Sequence, residues 1–209
     1  MTTTARTTVR TALAGPVPAS RGFGRLLLFA GLLGLAASAV LTIDKIKLLK
    51  NPSYQPGCNI NPIISCGSIM RTAQAEAFGF PNSLIGLAAF GALAAIGAGL
   101  LAGAAHRRWF WLGLQAGTLL GLGFVIWLIH QALYEIGALC PYCMVVWAVV
   151  IPTFWYTTLH NLRTGTIPAP PLIRRLAQAP HQWLVPTAAY LLIALLILNR
   201  FWYYWQTLL

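Results

Sequence analysis

Apolar residues run along most of this chain without the interruptions that a water-facing surface requires. Five stretches lack any Asp, Glu, Lys or Arg: Leu26–Ile43, Ala77–Ala105, Trp109–Tyr134, Ile136–Leu162 and Leu176–Asn199. An uncharged apolar run of about 18 residues or more can cross the hydrocarbon layer as a helix, so each stretch predicts one span. The second opens with Phe78-Gly79-Phe80-Pro81-Asn82-Ser83, which reads as a turn and moves the helix start to about Ser83. Ten-residue segments of alternating apolar and polar residues are missing, which excludes a membrane β-barrel. The pattern predicts an all-α integral membrane protein. A Thr-rich, Arg-containing segment, Met1–Ser20, comes first. Residues 1–22 are expected to form a disordered basic cytoplasmic tail, and residues 23–209 a single five-helix membrane domain with a long outer loop at 44–82. Ala37-Ser38-Ala39 resembles a signal-peptidase site, but the apolar run before and across it exceeds the usual 7–15 residues of a signal sequence. A retained span is expected.

Composition sharpens this picture. Charged residues make up 8% of the 209 positions and hydrophobic ones 58%, against about 25% charged in ordinary soluble domains. A soluble globular protein lacks polar surface at these values, and a disordered chain would be poor in Leu, Ile, Val and Phe. The net charge of +11 is a matter of topology. With a cytoplasmic N-terminus, Arg6, Arg10, Arg21, Arg25, Arg107, Arg108, Arg163, Arg174 and Arg175 lie inside, while all three acidic residues, Asp44, Glu76 and Glu135, lie outside. That is the usual positive-inside bias, and it requires no nucleic-acid partner. Phe201-Trp202-Tyr203-Tyr204-Trp205 fits an aromatic belt at the outer interface. The expected location is the inner membrane of a bacterial-type cell, with the C-terminus extracytoplasmic.

The same topology gathers all four cysteines, Cys58, Cys66, Cys140 and Cys143, on the outer side. Disulfides persist on an oxidising face. In Cys140-Pro141-Tyr142-Cys143, Pro at the first helical position marks a helix start, with Cys140 as its N-cap. A helix N-terminus favours a thiolate. The i, i+3 spacing puts both sulfurs on one face, with Cys143 nearly a turn deeper toward the apolar layer. One sulfur can then meet a loop thiol while the other meets a lipid-soluble oxidant. Cys58 and Cys66 are separated by a segment containing Asn61-Pro62, a turn signal. This loop is expected to be flexible enough to relay between the helix pair and a partner protein, since thiol–disulfide exchange proceeds by direct attack. Braced loops, a four-cysteine zinc site and inert thiols compete with the redox relay; the spacing is unlike paired zinc knuckles, and no metal is expected.

In order and spacing, Cys58…Ser65-Cys66, then Phe78-Gly79-Phe80-Pro81-Asn82-Ser83, then Cys140-x-x-Cys143 resemble the vitamin K epoxide reductase (VKOR) family in its bacterial form, over about residues 24–162. The resemblance implies a four-helix transmembrane bundle around a quinone pocket, with a fifth transmembrane helix outside it. It implies a membrane thiol:quinone oxidoreductase that generates disulfides in secreted proteins. Cys58 would take electrons from the partner, Cys66 would pass them to Cys140, and Cys143 would face the quinone, menaquinone or ubiquinone. Many bacterial relatives carry a fused thioredoxin-like domain; here a separate thioredoxin-like (DsbA-like) extracytoplasmic protein is expected. Asn82 matches a family asparagine near the quinone carbonyl. Where some animal members have tyrosine, this chain has Trp147, one turn below Cys143 and in reach of a quinone ring. A vitamin K epoxide or quinone reductase of a small-molecule cycle is the alternative activity, and a scaffold with structural disulfides the non-catalytic one. Three further expectations attach to the spans. Ser68–Phe80 is read as a short interfacial helix capping the pocket. His130, Gln131, Tyr134 and Glu135 are candidates for supplying protons. Gly113, Gly117 and Gly121 are read as a close-packing face.

Overall fold

The computed structural model describes residues 15–206. Residues 1–14 of the expected tail lie outside the described residues. From Gly15 on the chain is placed, with Val17 N–H donating to His106 O at 2.8 Å.

The first helix, α1, spans Arg21–Lys50, and the Ser20 side chain caps it by accepting from Phe23 N–H. Its 30 residues reach about 45 Å at 1.5 Å per residue, well beyond the about 30 Å of hydrocarbon. The run Leu26–Ile43 therefore marks only its central part. A helix does not stop at the first charge if the charge finds a partner, and these do. Tyr54 Oη donates to Asp44 Oδ1 at 3.0 Å, and Lys45 Nζ pairs with Glu76 at 2.9 Å. Asp44 and Lys45 are consequently buried helix residues, not members of the loop.

A short helix α2 (Cys66–Met70) and one 3-10 turn (Ala73–Glu76) follow where a single helix over Ser68–Phe80 was expected. Then come α3 (Asn82–Leu101), α4 (Arg108–His130) and α5 (Pro141–Arg163). The last turn of α4 widens into π-helix over Gln131–Ile136 and is closed by Gly137 at φ 69°. With α1, these form four helices long and apolar enough to span a membrane.

α3 lies against α1 at backbone contact. A Cβ on Gly31 would sit 2.4 Å from Ala94 N, and one on Gly97 would sit 2.3 Å from Leu28 N. α1 also packs on α5, and α5 on α4, around a core that includes Leu27, Phe90 and Trp111. α3 and α4 are joined by a short loop yet do not pack along their lengths. The bundle is a ring with one open seam.

The stretch Leu176–Asn199 does not form one helix. It divides between α6 (Pro171–Ala177) and α7 (Leu184–Arg200), with Pro180 between them. α7 has 17 residues, about 25 Å, and a last short turn, α8 (Trp202–Trp205), follows it. Its docking has a local cause in α5. Pro152 has no N–H, so the carbonyl of Ala148 loses its helical donor. Tyr190 Oη of α7 takes that place, donating to Ala148 O at 2.6 Å. Arg200 Nε donates to Leu133 O at 2.8 Å, tying the other end of α7 to the π-helical turn.

Candidate redox site

Two chain segments that carry cysteines are stitched together by backbone. Ile64 and Leu139 form an isolated parallel β-bridge. Ser65 N–H donates to Leu139 O at 2.9 Å, and Leu139 N–H donates to Ile63 O at 2.7 Å. Each segment turns into a helix directly afterwards. Ser65 caps α2 by accepting from Ser68 N–H, and Cys140 caps α5 by accepting on Sγ from Cys143 N–H. Cys66 and Cys140 thus start neighbouring helices side by side, and their sulfurs are 3.3 Å apart. Cys66 is at the same time disulfide-bonded to Cys58, with a Cα–Cα distance of 5.7 Å. Cys58, Cys66 and Cys140 form a continuous line of sulfur, packed among Leu48, Met70 and Tyr54.

The loop between Cys58 and Cys66 is not loose. Asn61 Oδ1 accepts from Ile63 N–H and Ile64 N–H, at 3.0 and 2.7 Å. Asn59 Oδ1 accepts from Gly67 N–H at 2.9 Å and from Ser65 Oγ at 3.3 Å. The two asparagines give the turn its fixed shape, which corrects the expectation of a flexible relay. Cys58 is 7% exposed and Cys66 and Cys140 1% or less, so the line of sulfur meets solvent at Cys58 alone.

Cys140 is held below the ordinary thiol value. The largest cause is a hydrogen bond from the Cys143 side chain; the backbone N–H groups of Cys143 and Tyr142 add to it, while burial and the Asp44 carboxylate push the other way. The thiolate is the form that attacks a disulfide.

Cys143 faces elsewhere. It lines a cavity of about 540 Å³ that fills the open seam between α3 and α4. Binding cavities for small molecules run from about 300 to about 1,000 Å³. Ile85, Phe90 and Leu93 of α3 and Leu114, Phe124 and Leu128 of α4 make apolar walls. Gly113, Gly117 and Gly121 line it too. A Cβ on Gly113 or Gly117 would meet nothing within 4 Å, and one on Gly121 only the Val150 side chain at 4.0 Å. These glycines keep the cavity open and bring no two helix backbones together, which corrects the close-packing reading.

Polar groups collect at the cysteine end of the cavity, where Lys45, Gln74, Asn82 and Gln131 join Cys143. Deeper hydroxyls are spent on their own helices, Thr118 donating to Gln115 O and Thr153 to Val149 O. The lining is thus polar at the cysteine end and apolar along the walls, a division that suits a ligand with a polar head and an apolar tail. The α2 segment and its 3-10 turn close the polar end as a lid, held in part by the Lys45–Glu76 pair. Lys45 Nζ donates to Met70 O at 2.7 Å, Asn82 Nδ2 to Gln74 O at 2.7 Å, and Gln74 Nε2 to Gln131 Oε1 at 3.3 Å. Asn82 therefore reaches the cavity while one N–H is engaged with the lid, and Ala77 N–H occupies its oxygen. Trp147 lines the cavity, 4% exposed, and its indole N–H is buried without an acceptor. Of the four residues considered for proton supply, only Gln131 lines the cavity. His130, Tyr134 and Glu135 are exposed, turned outward by the π-helical turn.

Lys45 was missed as a site residue in the sequence because a lysine at the end of an apolar run reads as the water boundary. Its spacing from Leu41 and Leu48, on one helix face, was the available signal.

The chain matches the model of the vitamin K epoxide reductase family over residues 25–158. It belongs to that family. Comparison with curated proteins returned no match. As a VKOR-family protein it is a multi-pass membrane oxidoreductase. Family members generally use a quinone as electron acceptor and work with thioredoxin-like partners. The match runs from within α1 to within α5 and so includes all four cysteines and both walls of the cavity.

Proposed function

We propose that this VKOR-family protein is a thiol:quinone oxidoreductase that generates disulfides in secreted proteins. The observation that carries the reading is the continuous path of sulfur from Cys58 to Cys140, with Cys143 on an apolar cavity. A reduced thioredoxin-like protein attacks Cys58, and its two thiols end as a disulfide while Cys58 and Cys66 are reduced. Cys66 then attacks Cys140 of the closed helix pair, freeing Cys143. Cys58 returns onto Cys66, restores the loop disulfide and leaves Cys140 and Cys143 as thiols. The covalent state described here, loop pair closed and helix pair reduced, is the one in which two electrons are ready to leave through Cys143. A quinone, menaquinone or ubiquinone, supplies the acceptor when bound.

The chain's own groups divide the remaining work. Trp147 and Asn82 each offer an N–H toward the acceptor's polar ring, the first because it has no other partner and the second through its spare hydrogen. The glycine face of α4 admits the ring and the open seam admits its tail. The cysteine end belongs on the extracytoplasmic side, where the partner is.

The test uses the full chain in lipid nanodiscs with a quinone and a thioredoxin-like dithiol. Cys143→Ser should abolish quinone reduction and still exchange with Cys66. Cys58→Ala should fail with the protein partner while small dithiols still drive turnover. Full quinone turnover in Cys143→Ser refutes the assignment.

A further inference from the structure

The cavity is almost free of ionisable groups: of its lining residues only Lys45 and Cys143 can carry a charge. Lys45 is 8% exposed. A buried ammonium costs several kcal/mol in desolvation unless it is paired and hydrogen-bonded. Glu76 and the Met70 carbonyl provide that, at 2.9 and 2.7 Å. An ammonium has three donors, so one N–H remains for the cavity. A tie for the lid would not need a charge. Two further ties to the same lid, Asn82 to Gln74 and Gln74 to Gln131, are made by neutral amides. Lys45 also lies on the face of α1 that carries Leu41 and Leu48, both packed against the cysteines.

The geometry points to Lys45 as a catalytic acid on the acceptor side of the reaction. This rests on the thiol:quinone reading. When Cys140 and Cys143 close into a disulfide, two electrons pass to the acceptor, and its two carbonyl oxygens each need a proton. Lys45 Nζ provides one proton and balances the negative charge that builds on the nearer oxygen. The thiols give up two protons as their disulfide forms. One returns Lys45 to its charged state, and the other completes the second hydroxyl. The stoichiometry is two thiols and one quinone to one disulfide and one quinol. Glu76 keeps the ammonium at the cavity wall between turnovers.

The experiment compares Lys45→Met, Lys45→Arg and Arg71→Met in the full chain, with two readouts. The first is steady-state quinone reduction. Lys45→Met should lower kcat by about 100-fold, the scale of a lost general acid, with KM for quinone little changed. Lys45→Arg should restore part of the rate, and Arg71→Met, which breaks the lid's bond to Pro52 O at 2.8 Å and leaves Lys45, Glu76 and Met70 in place, should keep most of it. The second is binding without turnover, read by tryptophan fluorescence, of an ionised hydroxynaphthoquinone and its neutral dimethyl counterpart. The protein should prefer the anionic ring, and Lys45→Met should lose that preference while Lys45→Arg and Arg71→Met keep it. Unchanged turnover and preference in Lys45→Met overturn the proposal, as does a fall in Arg71→Met as deep as that in Lys45→Met. Should the unmodified protein reduce no quinone at all, the thiol:quinone reading fails, and the binding preference still decides whether Lys45 serves anionic rings in this cavity.

Discussion

The two sides of α3 put glycine to opposite uses. Toward α1, glycines from both helices let backbones meet, and a single methyl group at Gly31 or Gly97 would overlap main-chain atoms. Toward α4, Gly113, Gly117 and Gly121 face open space, and the helices stand apart around a cavity. Spacing of small residues does not distinguish these outcomes. What distinguishes them is whether the opposite wall advances or retreats, and that depends on connections elsewhere. α4 is held by α5, which is held by α1, and nothing draws α4 onto α3.

The largest test of this contrast is Gly97→Leu. A side chain there must displace the backbone of Leu28, and overpacking of that kind costs about 3 kcal/mol or more. Heat-induced unfolding in detergent should show a marked loss of stability, or the protein should fail to accumulate. Gly117→Leu is the counterpart. It fills cavity without touching a helix, so the melting temperature should hold while quinone turnover falls by roughly tenfold to a hundredfold, since displacement of a ligand by 1–3 kcal/mol has that size. If Gly117→Leu destabilises as Gly97→Leu does, the seam is a packed interface and the contrast disappears.

Smaller effects sharpen the picture at the edges. Tyr190→Phe removes the hydroxyl that satisfies Ala148 O above Pro152. Leaving that carbonyl without a donor on the lipid-facing side of α5 costs about 1–3 kcal/mol, and α7 should become more accessible to protease while the four spans stay intact. The smallest effect is on titration. Cys140 is held below the ordinary thiol value mainly by the Cys143 side chain. Its lowered value means more thiolate, and faster alkylation by a small reagent, at neutral pH. Removing the donor in Cys143→Ala should move the alkylation profile of Cys140 to higher pH; a profile that stays in place assigns the effect to the backbone N–H groups alone.

The four-span bundle was legible in the sequence because membrane crossing demands long uncharged runs, and those are visible without any knowledge of packing. The start of α5 was legible as well, since Pro141 after Cys140 and the i, i+3 spacing are local signals that survive folding. Other features depended on distant partners. Asp44 and Lys45 read as loop residues because the groups that keep them inside, Tyr54 and Glu76, come 10 and 31 positions later. The flexible reading of the Cys58–Cys66 loop missed Asn59 and Asn61, whose side chains cap backbone in three dimensions. The fifth apolar stretch hid a break at Pro180, which hydropathy averages over. The pairing of Ile64 with Leu139 has no sequence signature, because one bridge of two residues leaves no alternation to detect.

The seam between α3 and α4 has a consequence for selection among lipid-borne carriers. A pocket closed on all sides measures the whole guest, whereas a slot open along its length grips one end and lets the remainder trail into the bilayer. Discrimination then falls on the ring and its substituents, and chains of few or many isoprene units should serve equally well.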